Sequence, residues 1–413
     1  MNKVELLAPA GNFEKLETAV HFGADAVYFG GKDFSLRNFS GNFSLEEIGK
    51  AVAHCRKNDV KSYITVNIYS RNNEQESIAQ YLGALGDIGP DALIISDPAI
   101  IMAAKENAPH IPIHLSTQSN TTNYNAAKFW KQIGVTRVNA ARELSLEEIT
   151  TLVQKSGVEV EAFVHGAMCI SYSGRCLLSG FLSGRDSNRG NCNHPCRWRY
   201  ALCEEKRPGQ YIPLEENERG VFFLNSKDLC MIRHIPELIG SGLSSFKIEG
   251  RMKGIHYVAT TVKAYRDSID AWYADPDHYV TDDRWIKELK RAHNREYCTG
   301  FYFGDPRETL PYYEDDKPLL SHVFLAKILH GGDDALPGNR TMARNKIFKG
   351  EEVEVLVKKG PAVKDVIVDI IDAKGASMPF AQPNSEVNIV FNNRYAEFDL
   401  VRRLSVEESD IRE

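Results

Sequence analysis

Long apolar runs are missing from this chain of 413 residues. No stretch approaches the roughly 18 uninterrupted apolar residues of a membrane-spanning helix, and the start, MNKVELLAPAG, lacks the apolar segment of a secretory signal. An excess of positive charge is missing too, because the formal net charge is -6. This excludes a protein that coats nucleic acid through overall basicity. We therefore expect a soluble, cytoplasmic protein that does not bind membranes and meets nucleic acid only through a local basic patch.

Several catalytic sequence patterns are also absent. No GxGxxG follows the first predicted strand in LLAPAGNFEKL, which disfavours a dinucleotide-binding open sheet. The HExxH pattern of zinc proteases and the GxSxG elbow of serine hydrolases do not occur. For a peptidase, only Cys169 beside His165 remains as a conceivable nucleophile and base.

One phrase recurs along the chain: an amphipathic run, a glycine turn and a short run rich in β-branched residues. Eight such strand-like segments alternate with helices in roughly 250 residues, which favours a closed (β/α)8 TIM-like barrel over a doubly wound open sheet. The glycines predicted to end helices in the left-handed conformation are Gly23, Gly89, Gly134, Gly157 and Gly242. The predicted strands are Val4 to Leu7, Ala26 to Phe29, Ser62 to Asn67, Ala92 to Ser96, Ile113 to Leu115, Arg137 to Asn139, Glu159 to Val164 and Ser245 to Ile248.

The spacing of these segments predicts two domains in an α/β chain. The TIM-like barrel is expected over residues 1–310, with a cysteine-rich insertion at 166–244 between its seventh and eighth strands. The alternating segments VFLAKIL, EEVEVLVKK, DVIVDIID and EVNIVFN predict a small C-terminal antiparallel β-barrel over residues 318–405.

Polar residues follow several of the predicted strands. In a TIM barrel, catalytic groups lie where strands end and loops begin, so these side chains are expected to form one pocket for an anionic, oxygen-rich ligand. Each residue alone could instead cap a helix, as Asp97 before Pro98 could. The candidate catalytic residues are Gln118, Arg142, His165, Lys247, Glu249 and Arg251, and Arg142, Lys247 or Arg251 would hold a carboxylate.

Six of the eight cysteines fall between positions 169 and 230. Cys169, Cys176, Cys192 and Cys196 are separated by six, fifteen and three residues. Four thiolates suit a structural zinc or an iron-sulfur cluster, although the six-residue gap is unusual for zinc. Buried cysteines that bind nothing are the remaining alternative.

The same stretch is locally basic in an acidic chain. Between Cys169 and Tyr200 there are five arginines and one acid, Asp186, with aromatic residues interleaved. Arginine contacts phosphate and flat rings stack on unpaired bases, so this pattern is typical of RNA binding. The arginines could equally serve the cluster sulfurs or pair with acids at the barrel rim. The candidate RNA-binding residues are Arg185, Arg189, Arg197 and Trp198.

The segment EAFVHGAMCISYSGRCLLS at 161–179 resembles the signature of the collagenase-like peptidase family U32. Four further segments, RDSNRGNCNHPCRW, NSKDLC, KIEGRMK and NREYCTGFY, resemble the family's branch of tRNA hydroxylation proteins. The resemblance covers essentially the whole chain, and the chain length also favours this branch.

The resemblance implies an activity and a cofactor. It implies hydroxylation of carbon 5 of the wobble uridine of certain tRNAs in a manner that depends on prephenate. It also implies a 4Fe-4S cluster on Cys169, Cys176, Cys192 and Cys196, with Cys230 outside the cluster. The implied partners are tRNA, prephenate as a small carboxylated molecule, and a protein partner or second copy. A peptidase and a non-catalytic cluster-bearing scaffold stay as alternatives.

Overall fold

The larger part of the chain forms a closed barrel of parallel strands. The structure is a computed structural model that describes residues 3–36, 41–168, 176, 178–185, 192, 195, 202–203, 211–212, 227–292, 296–304, 322–331 and 337–404. The barrel order is β11-β1-β2-β3-β4-β5-β6-β7, and pairing of β11 with β7 closes the ring. The predicted TIM-like barrel is therefore confirmed. Its strands are β1 (Glu5–Pro9), β2 (Ala26–Gly30), β3 (Lys61–Val66), β4 (Ala92–Ile95), β5 (Ile113–Leu115), β6 (Val135–Asn139), β7 (Glu159–Ala167) and β11 (Ser245–Ile248).

Helices follow the strands, and five of them end just before the glycines that the sequence indicated. Ser44 and Ser145 each start a helix through a reciprocal capping box with the glutamate three residues later. The five glycines predicted to end helices all have positive φ. Within the described ranges, no helix is both long and apolar enough to cross a membrane. The helices are α1 (Phe13–His21), α2 (Leu45–Lys57), α3 (Gln75–Ile88), α4 (Pro98–Asn107), α5 (Tyr124–Gln132), α6 (Leu146–Ser156), α7 (Leu178–Ser183), α8 (Ile235–Gly240), α9 (Ile255–Ala274) and α10 (Asp283–Arg291).

Strand β7 is longer than its neighbours and carries extra pairing that the sequence did not predict. Strand β10 (Asp228–Cys230) runs antiparallel to the end of β7, with Ala167 opposite Asp228 and His165 opposite Cys230. Strand β12 (Tyr297–Cys298) then pairs in parallel with β10. Two short strands, β8 (Leu202–Cys203) and β9 (Tyr211–Ile212), pair with each other within the insertion.

Side chains alternate between the two faces of the barrel wall, as pleated strands require. On β1, Leu6 and Ala8 join the apolar core between strands and helices, whereas Leu7 joins a smaller apolar cluster with Tyr28 and Tyr63. Charged residues fill much of the remaining interior, and these are described with the candidate site below.

The C-terminal region forms a second closed barrel of antiparallel strands, which confirms the predicted small β-barrel. Its order is β13-β14-β19-β17-β16-β20, and the short strands β15 (Ile347–Phe348) and β18 (Phe380–Ala381) pair beside it. Four of the six strands match the four segments that the sequence indicated. The barrel strands are β13 (His322–His330), β14 (Asn339–Ala343), β16 (Glu352–Leu356), β17 (Val363–Ile371), β19 (Glu386–Phe391) and β20 (Leu400–Leu404).

The two barrels pack against each other through an apolar and an ionic contact. Leu356 and Leu400 of the second barrel belong to the main hydrophobic core. Arg402, which is fully buried, pairs with Glu288 of α10 at 2.8 Å and with Glu354 of β16 at 2.9 Å. The pKa of Glu354 is lowered to about 2, first by a hydrogen bond from His322 and then by the charges of Arg402 and other nearby cations.

His256 makes the contact between the barrels sensitive to acid. Its ring stacks on Phe324 with centroids 6.0 Å apart. Burial, together with the charge of Arg402, lowers its pKa to about 3. In the unfolded chain the His256 ring becomes protonated near about pH 6.5, whereas in the folded protein it stays neutral down to about pH 3. The free energy of unfolding therefore falls as the pH drops from about 6.5 toward 3, by up to about 1.4 kcal/mol per pH unit.

We expect His256→Phe to lose a substantial part of this acid sensitivity while remaining folded at pH 7.5. The unfolding midpoints of wild type and variant at pH 7.5, 6 and 5 measure this acid sensitivity. The series stops at pH 5 because Glu354 contributes to the loss of stability mainly below its unfolded pKa of about 4.5. The matched control is His278→Phe, whose side chain is 83% exposed and which should keep the wild-type pH profile. An unchanged pH profile of the unfolding midpoint in His256→Phe would contradict the assignment of this acid sensitivity to His256.

Candidate functional site

An amide and hydroxyl cluster lies at the carboxyl ends of β3, β4 and β5. The Gln118 Oε1 atom accepts hydrogen bonds from Asn67 Nδ2 at 2.8 Å, Ser116 Oγ at 3.3 Å and Ser96 Oγ at 3.5 Å. These contacts fix the orientation of the amide. The Gln118 Nε2 atom is buried and makes no hydrogen bond within the part of the chain that the structure describes. It is therefore a pre-oriented donor that a ligand oxygen can satisfy.

Arg251 enters the same end of the barrel from the loop after β11. Its guanidinium donates to Asn42 Oδ1 at 2.6 Å, Thr65 Oγ1 at 3.1 Å and Ser35 Oγ at 3.2 Å. The side chain is 4% exposed. Thr65 lies near the end of β3 and Asn67 directly follows that strand, so β3 connects the Arg251 contacts with the Gln118 cluster.

Gly30 leaves the space that Arg251 occupies. A Cβ atom at position 30 would lie 2.1 Å from Ser35 Oγ and 2.7 Å from Arg251 Nη2. A side chain there must displace the guanidinium or its hydroxyl partner, because such distances do not occur between non-bonded atoms.

We expect Gly30→Ala to lower the activity that the sequence resemblance implies, hydroxylation of tRNA, at least about tenfold. A displacement of about one ångström in a ligand-binding group such as the Arg251 guanidinium is costly. The fold should persist, because only side-chain ends and not backbone atoms are in the way. The matched control is Gly83→Ala, where a Cβ meets nothing within 4 Å. Circular dichroism and unfolding midpoints check the fold, and equal activity of the two variants would contradict the role of Arg251.

A buried ion pair lies deeper in the barrel. Lys247 Nζ is 2.7 Å from Glu161 Oε1, and Asn139 Nδ2 donates to the same oxygen at 3.0 Å. All three side chains are less than 6% exposed. Burial, opposed by Glu161, lowers the pKa of Lys247. A lysine and a carboxylate held in this way can exchange a proton with a ligand bound above them.

The charged interior continues to the other end of the barrel. Arg137 is 3.5 Å from Glu161 and also pairs with Glu5 and, near the surface, Glu159. Tyr63 donates a hydrogen bond of 2.7 Å to Glu5. Burial alone would raise the pKa of Glu5, but Arg137 beside it holds that pKa below its ordinary value. Buried charges are thus paired along the whole interior, as burial requires.

Sequence reasoning missed Glu161, Asn139, Arg137 and Glu5. The available signal was the alternation in EVEAFV, where Glu159 and Glu161 share one face of a strand whose neighbours are apolar. In a barrel strand, that face is the interior. A charge at an interior position then requires a partner on a neighbouring strand.

Arg142 and Glu249 lie at the rim. The Arg142 guanidinium stacks on the Phe163 ring with its carbon 4.0 Å from the centroid, and Lys247 Nζ is 5.5 Å from the same centroid. Arg142 also donates to the Ala167 carbonyl at 3.1 Å. The half-buried Glu249 is fixed through its backbone, which accepts a hydrogen bond from Tyr257. Arg142 and Lys247 are therefore brought together on one ring.

His165 is surrounded by tyrosine rings. Tyr297, Tyr265 and Tyr257 lie with centroids 5.3, 5.5 and 5.9 Å from the imidazole. The histidine is 1% exposed. Burial raises the pKa of each of the three tyrosines well above the ordinary value for a tyrosine. Cys230, opposite His165 in the strand register, lies 4.0 Å from the Tyr265 hydroxyl, and burial raises its pKa to about 11.

Asp97 is a structural residue at this end of the barrel. Its Oδ1 atom accepts from the Ala99 amide at 2.8 Å at the start of α4, and its Oδ2 atom accepts from the backbone and hydroxyl of Ser70. The capping alternative is therefore correct for Asp97.

The predicted cluster and RNA-binding residues fall mostly beyond the described ranges. Cys176 and Cys192 are described and half-buried, and Arg185 is exposed. Among the described residues, no group of three or more histidine, cysteine or acidic side chains forms a metal site. The all-thiol donor set is nevertheless the chemistry that an iron-sulfur cluster requires. The residues outside the described ranges are Cys169, Cys196, Arg189, Arg197 and Trp198.

Comparison with known proteins relates both barrels to one family. The model of peptidase family U32 matches residues 11–311, and the model of the U32 C-terminal domain matches residues 321–402. The "tRNA hydroxylation protein P1" of Bacillus subtilis is 42% identical over 363 residues, covering 88% of this chain and 85% of that protein. The "tRNA hydroxylation protein P" of Escherichia coli is 35% identical and covers 92% of each chain. A "Collagenase" of Porphyromonas gingivalis is 33% identical over 74% of each chain.

Proposed function

Because the chain belongs to peptidase family U32, we propose that it acts as its relatives' names state, in the hydroxylation of tRNA. The finer proposal is prephenate-dependent hydroxylation of the wobble uridine at carbon 5. The observation that carries it is the barrel end, where Lys247, Arg142 and Arg251 supply cations and Gln118 supplies an oriented amide donor. Such a site fits a small molecule with carboxylates and other oxygen atoms.

Each group has a defined task in this proposal. Arg142 and Arg251 bind carboxylate oxygens, and the planar guanidinium allows two parallel hydrogen bonds. Gln118 Nε2 orients the molecule by donating to an oxygen. Lys247 and Glu161 hold one proton between them, at Nζ or at the carboxylate, next to the bound molecule.

Cys169, Cys176, Cys192 and Cys196 would hold the proposed iron-sulfur cluster. The cluster would supply electron transfer, which no protein side chain in the site provides. Cys169 directly follows Met168, a buried residue just past the end of β7. The exposed Arg185, with Arg189, Arg197 and Trp198, would contact the RNA. The target base leaves its stack to reach the barrel end.

The test is complementation of a strain that lacks the gene. We expect wild type to restore 5-hydroxylated wobble uridine in tRNA, measured by mass spectrometry of nucleosides, and Gln118→Leu to restore at most about a tenth of it. Loss of a hydrogen bond to a charged group supports this size, at about 1.5–3 kcal/mol. Unchanged wobble nucleosides in the deletion strain would exclude the proposed function.

The control variant is Gln132→Leu at the end of α5, which lies outside the amide and hydroxyl cluster and should restore full modification. Growth at increasing prephenate supply separates binding from chemistry. If Gln118 binds this molecule, excess prephenate partly rescues Gln118→Leu. A defect independent of prephenate would assign Gln118 a purely structural role.

Peptidase activity is the second candidate, and the 33% identical relative named "Collagenase" favours it. In this alternative His165 would be the base, yet it is buried among three tyrosine rings. Incubation of the purified protein with gelatin tests it, with His165→Gln as the paired variant. Cleavage that this variant abolishes would support a peptidase.

A further inference from the structure

Lys247 is a buried amine whose hydrogen bonding is incomplete. Its side chain is 5% exposed, and among the described residues its Nζ atom makes one hydrogen bond, of 2.7 Å to Glu161 Oε1. An ammonium group has three N–H donors. A buried ion pair that serves stability alone needs partners for the remaining donors as well. The incomplete bonding of Lys247 therefore indicates a second task.

Aromatic rings lie against the Lys247 amine. Its Nζ atom is 4.6 Å from the centroid of Tyr28 and 5.5 Å from that of Phe163. Burial lowers the pKa of Lys247 most, Glu161 opposes this, and the charges of Arg137 and Arg142 lower the pKa further. The neutral form of the amine, which is the nucleophile, is therefore more accessible than in an exposed lysine.

Glu161 is placed to accept the proton that the amine must lose. The oxygen that contacts Nζ also accepts a hydrogen bond of 3.0 Å from Asn139 Nδ2. The second oxygen of the carboxylate lies 3.5 Å from Arg137. These contacts orient the carboxylate toward the amine. A base in hydrogen-bond contact with a nucleophile, and itself oriented by other groups, is the arrangement that activates the nucleophile.

Arg142 places a carboxylate-binding group beside the amine. Its guanidinium carbon is 4.0 Å from the centroid of Phe163, the ring that Lys247 also approaches. A planar guanidinium binds a carboxylate through two parallel hydrogen bonds. Because both groups lie on one ring, a short ligand can reach both. The shortest ligand that offers a carboxylate to Arg142 and a reactive carbonyl carbon to Lys247 is a 2-oxo acid.

We propose that Lys247 forms an imine with a 2-oxo acid whose carboxylate is bound by Arg142. The amine attacks the carbonyl carbon, a carbon–nitrogen bond forms and the carbon–oxygen double bond breaks. Glu161 carries two protons from the nitrogen to the departing oxygen, which leaves as water. The ammonium and the ketone thus give a protonated imine and one water, and nothing is oxidised or reduced. The imine holds the acid covalently and withdraws electrons from its neighbouring carbon atoms.

The inference rests on the proposed function for its ligand, because prephenate is itself a 2-oxo acid. Its test needs no tRNA, however. The full-length protein is incubated with pyruvate and sodium cyanoborohydride, which reduces an imine to a stable secondary amine. Peptide mass spectrometry then locates the adduct, whose mass equals that of pyruvic acid less one oxygen atom.

We expect labelling of Lys247 to exceed that of Lys50 at least about tenfold, since each unit of lowered pKa gives about tenfold more neutral amine. Lys50 is the matched control because its side chain is 65% exposed. Lactate, which has no carbonyl carbon to attack, should give no adduct. Labelling of Lys247 no stronger than that of Lys50, or an equal adduct with lactate, would overturn the proposal.

Arg142→Leu tests the carboxylate contact. Relative to labelling by acetone, which has a carbonyl but no carboxylate, labelling of Lys247 by pyruvate should fall at least about tenfold, as expected for lost hydrogen bonds between charged groups. Arg284→Leu, at a side chain 72% exposed, is the matched control and should keep the wild-type ratio. The wild-type ratio in Arg142→Leu would refute the role of Arg142.

The outcome is separable from that of the proposed function. Absence of the adduct in a protein that restores 5-hydroxylated wobble uridine would refute the imine alone. An adduct on Lys247 in a protein that leaves the wobble nucleosides unchanged would support the imine and refute the proposed function.

Discussion

Replacement of Cys192 by alanine is expected to abolish tRNA hydroxylation, down to the level of the strain that lacks the gene. The proposed cluster needs four thiolates, and loss of one ligand exposes iron to solvent and destabilises the whole cluster. Two measurements check this: the wobble nucleosides of complemented cells, and the iron and sulfide content of protein purified without air. The expected results are unmodified uridine and loss of most of the iron.

The matched control is Cys55→Ala. Cys55 is fully buried in α2, and burial raises the pKa of its thiol to about 12, so it is a packing residue rather than a ligand. This variant should retain iron and activity. Iron-free, colourless wild-type protein prepared without air would refute the cluster.

The fourth ligand is tested by comparing Cys196→Ala with Cys230→Ala. The proposed ligand set predicts that Cys196→Ala loses the iron and Cys230→Ala retains it. Cys230 lies opposite His165 in the strand register of β10 and β7, and it is therefore the alternative ligand to test. Iron loss in Cys230→Ala, with iron retained in Cys196→Ala, would show that Cys230 rather than Cys196 is the fourth ligand of the cluster.

Glu161→Leu is expected to produce the largest loss of stability, about 3–5 kcal/mol, because it leaves a charged lysine buried without its partner. Lys247 and Glu161 are 5% and 3% exposed at their side chains, so water cannot replace the lost contact. The shift in the midpoint of urea unfolding measures the effect. Activity should fall as well, since the proton-holding pair is lost.

The double variant Glu161→Leu/Lys247→Met separates charge from packing. Removing both charges should recover much of the stability, since an apolar pair of similar size often replaces a buried ion pair without penalty. Activity should stay low in the double variant. A double variant as unstable as the single one would show that Glu161 acts mainly through Asn139 or Arg137.

The barrel was predictable because its signals are local. Each strand is a short apolar run, and glycines such as Gly89 and Gly157 end helices in a conformation that other residues avoid. The eight predicted strands overlap the eight observed ones; two coincide at both ends, and no strand end is shifted by more than three residues. The second barrel was predicted for the same reason, except that NRTMA and LVRRL carry too many polar residues to stand out.

The interior of the site was less predictable because it depends on contacts between distant residues. Lys247 and Glu161 are 86 positions apart, and nothing near either residue indicates the other. Gln118, Arg142 and Arg251 were proposed as site residues because they follow predicted strands. The sequence could not show that Asp97 caps a helix while Gln118 keeps a donor available. That difference depends on which backbone amides lie within reach of each side chain.

The pairing of β10 with β7 has a consequence for how this chain can vary. The chain departs from the barrel after Ala167 and rejoins it at Asp228, and these two residues face each other in the strand register. The intervening segment is therefore inserted on a two-stranded stem, so its length need not change the spacing of the barrel strands. Excision of residues 169–227 with a short glycine bridge should yield a folded barrel without a cofactor. Equally, insertions here can change chemistry without disturbing the scaffold.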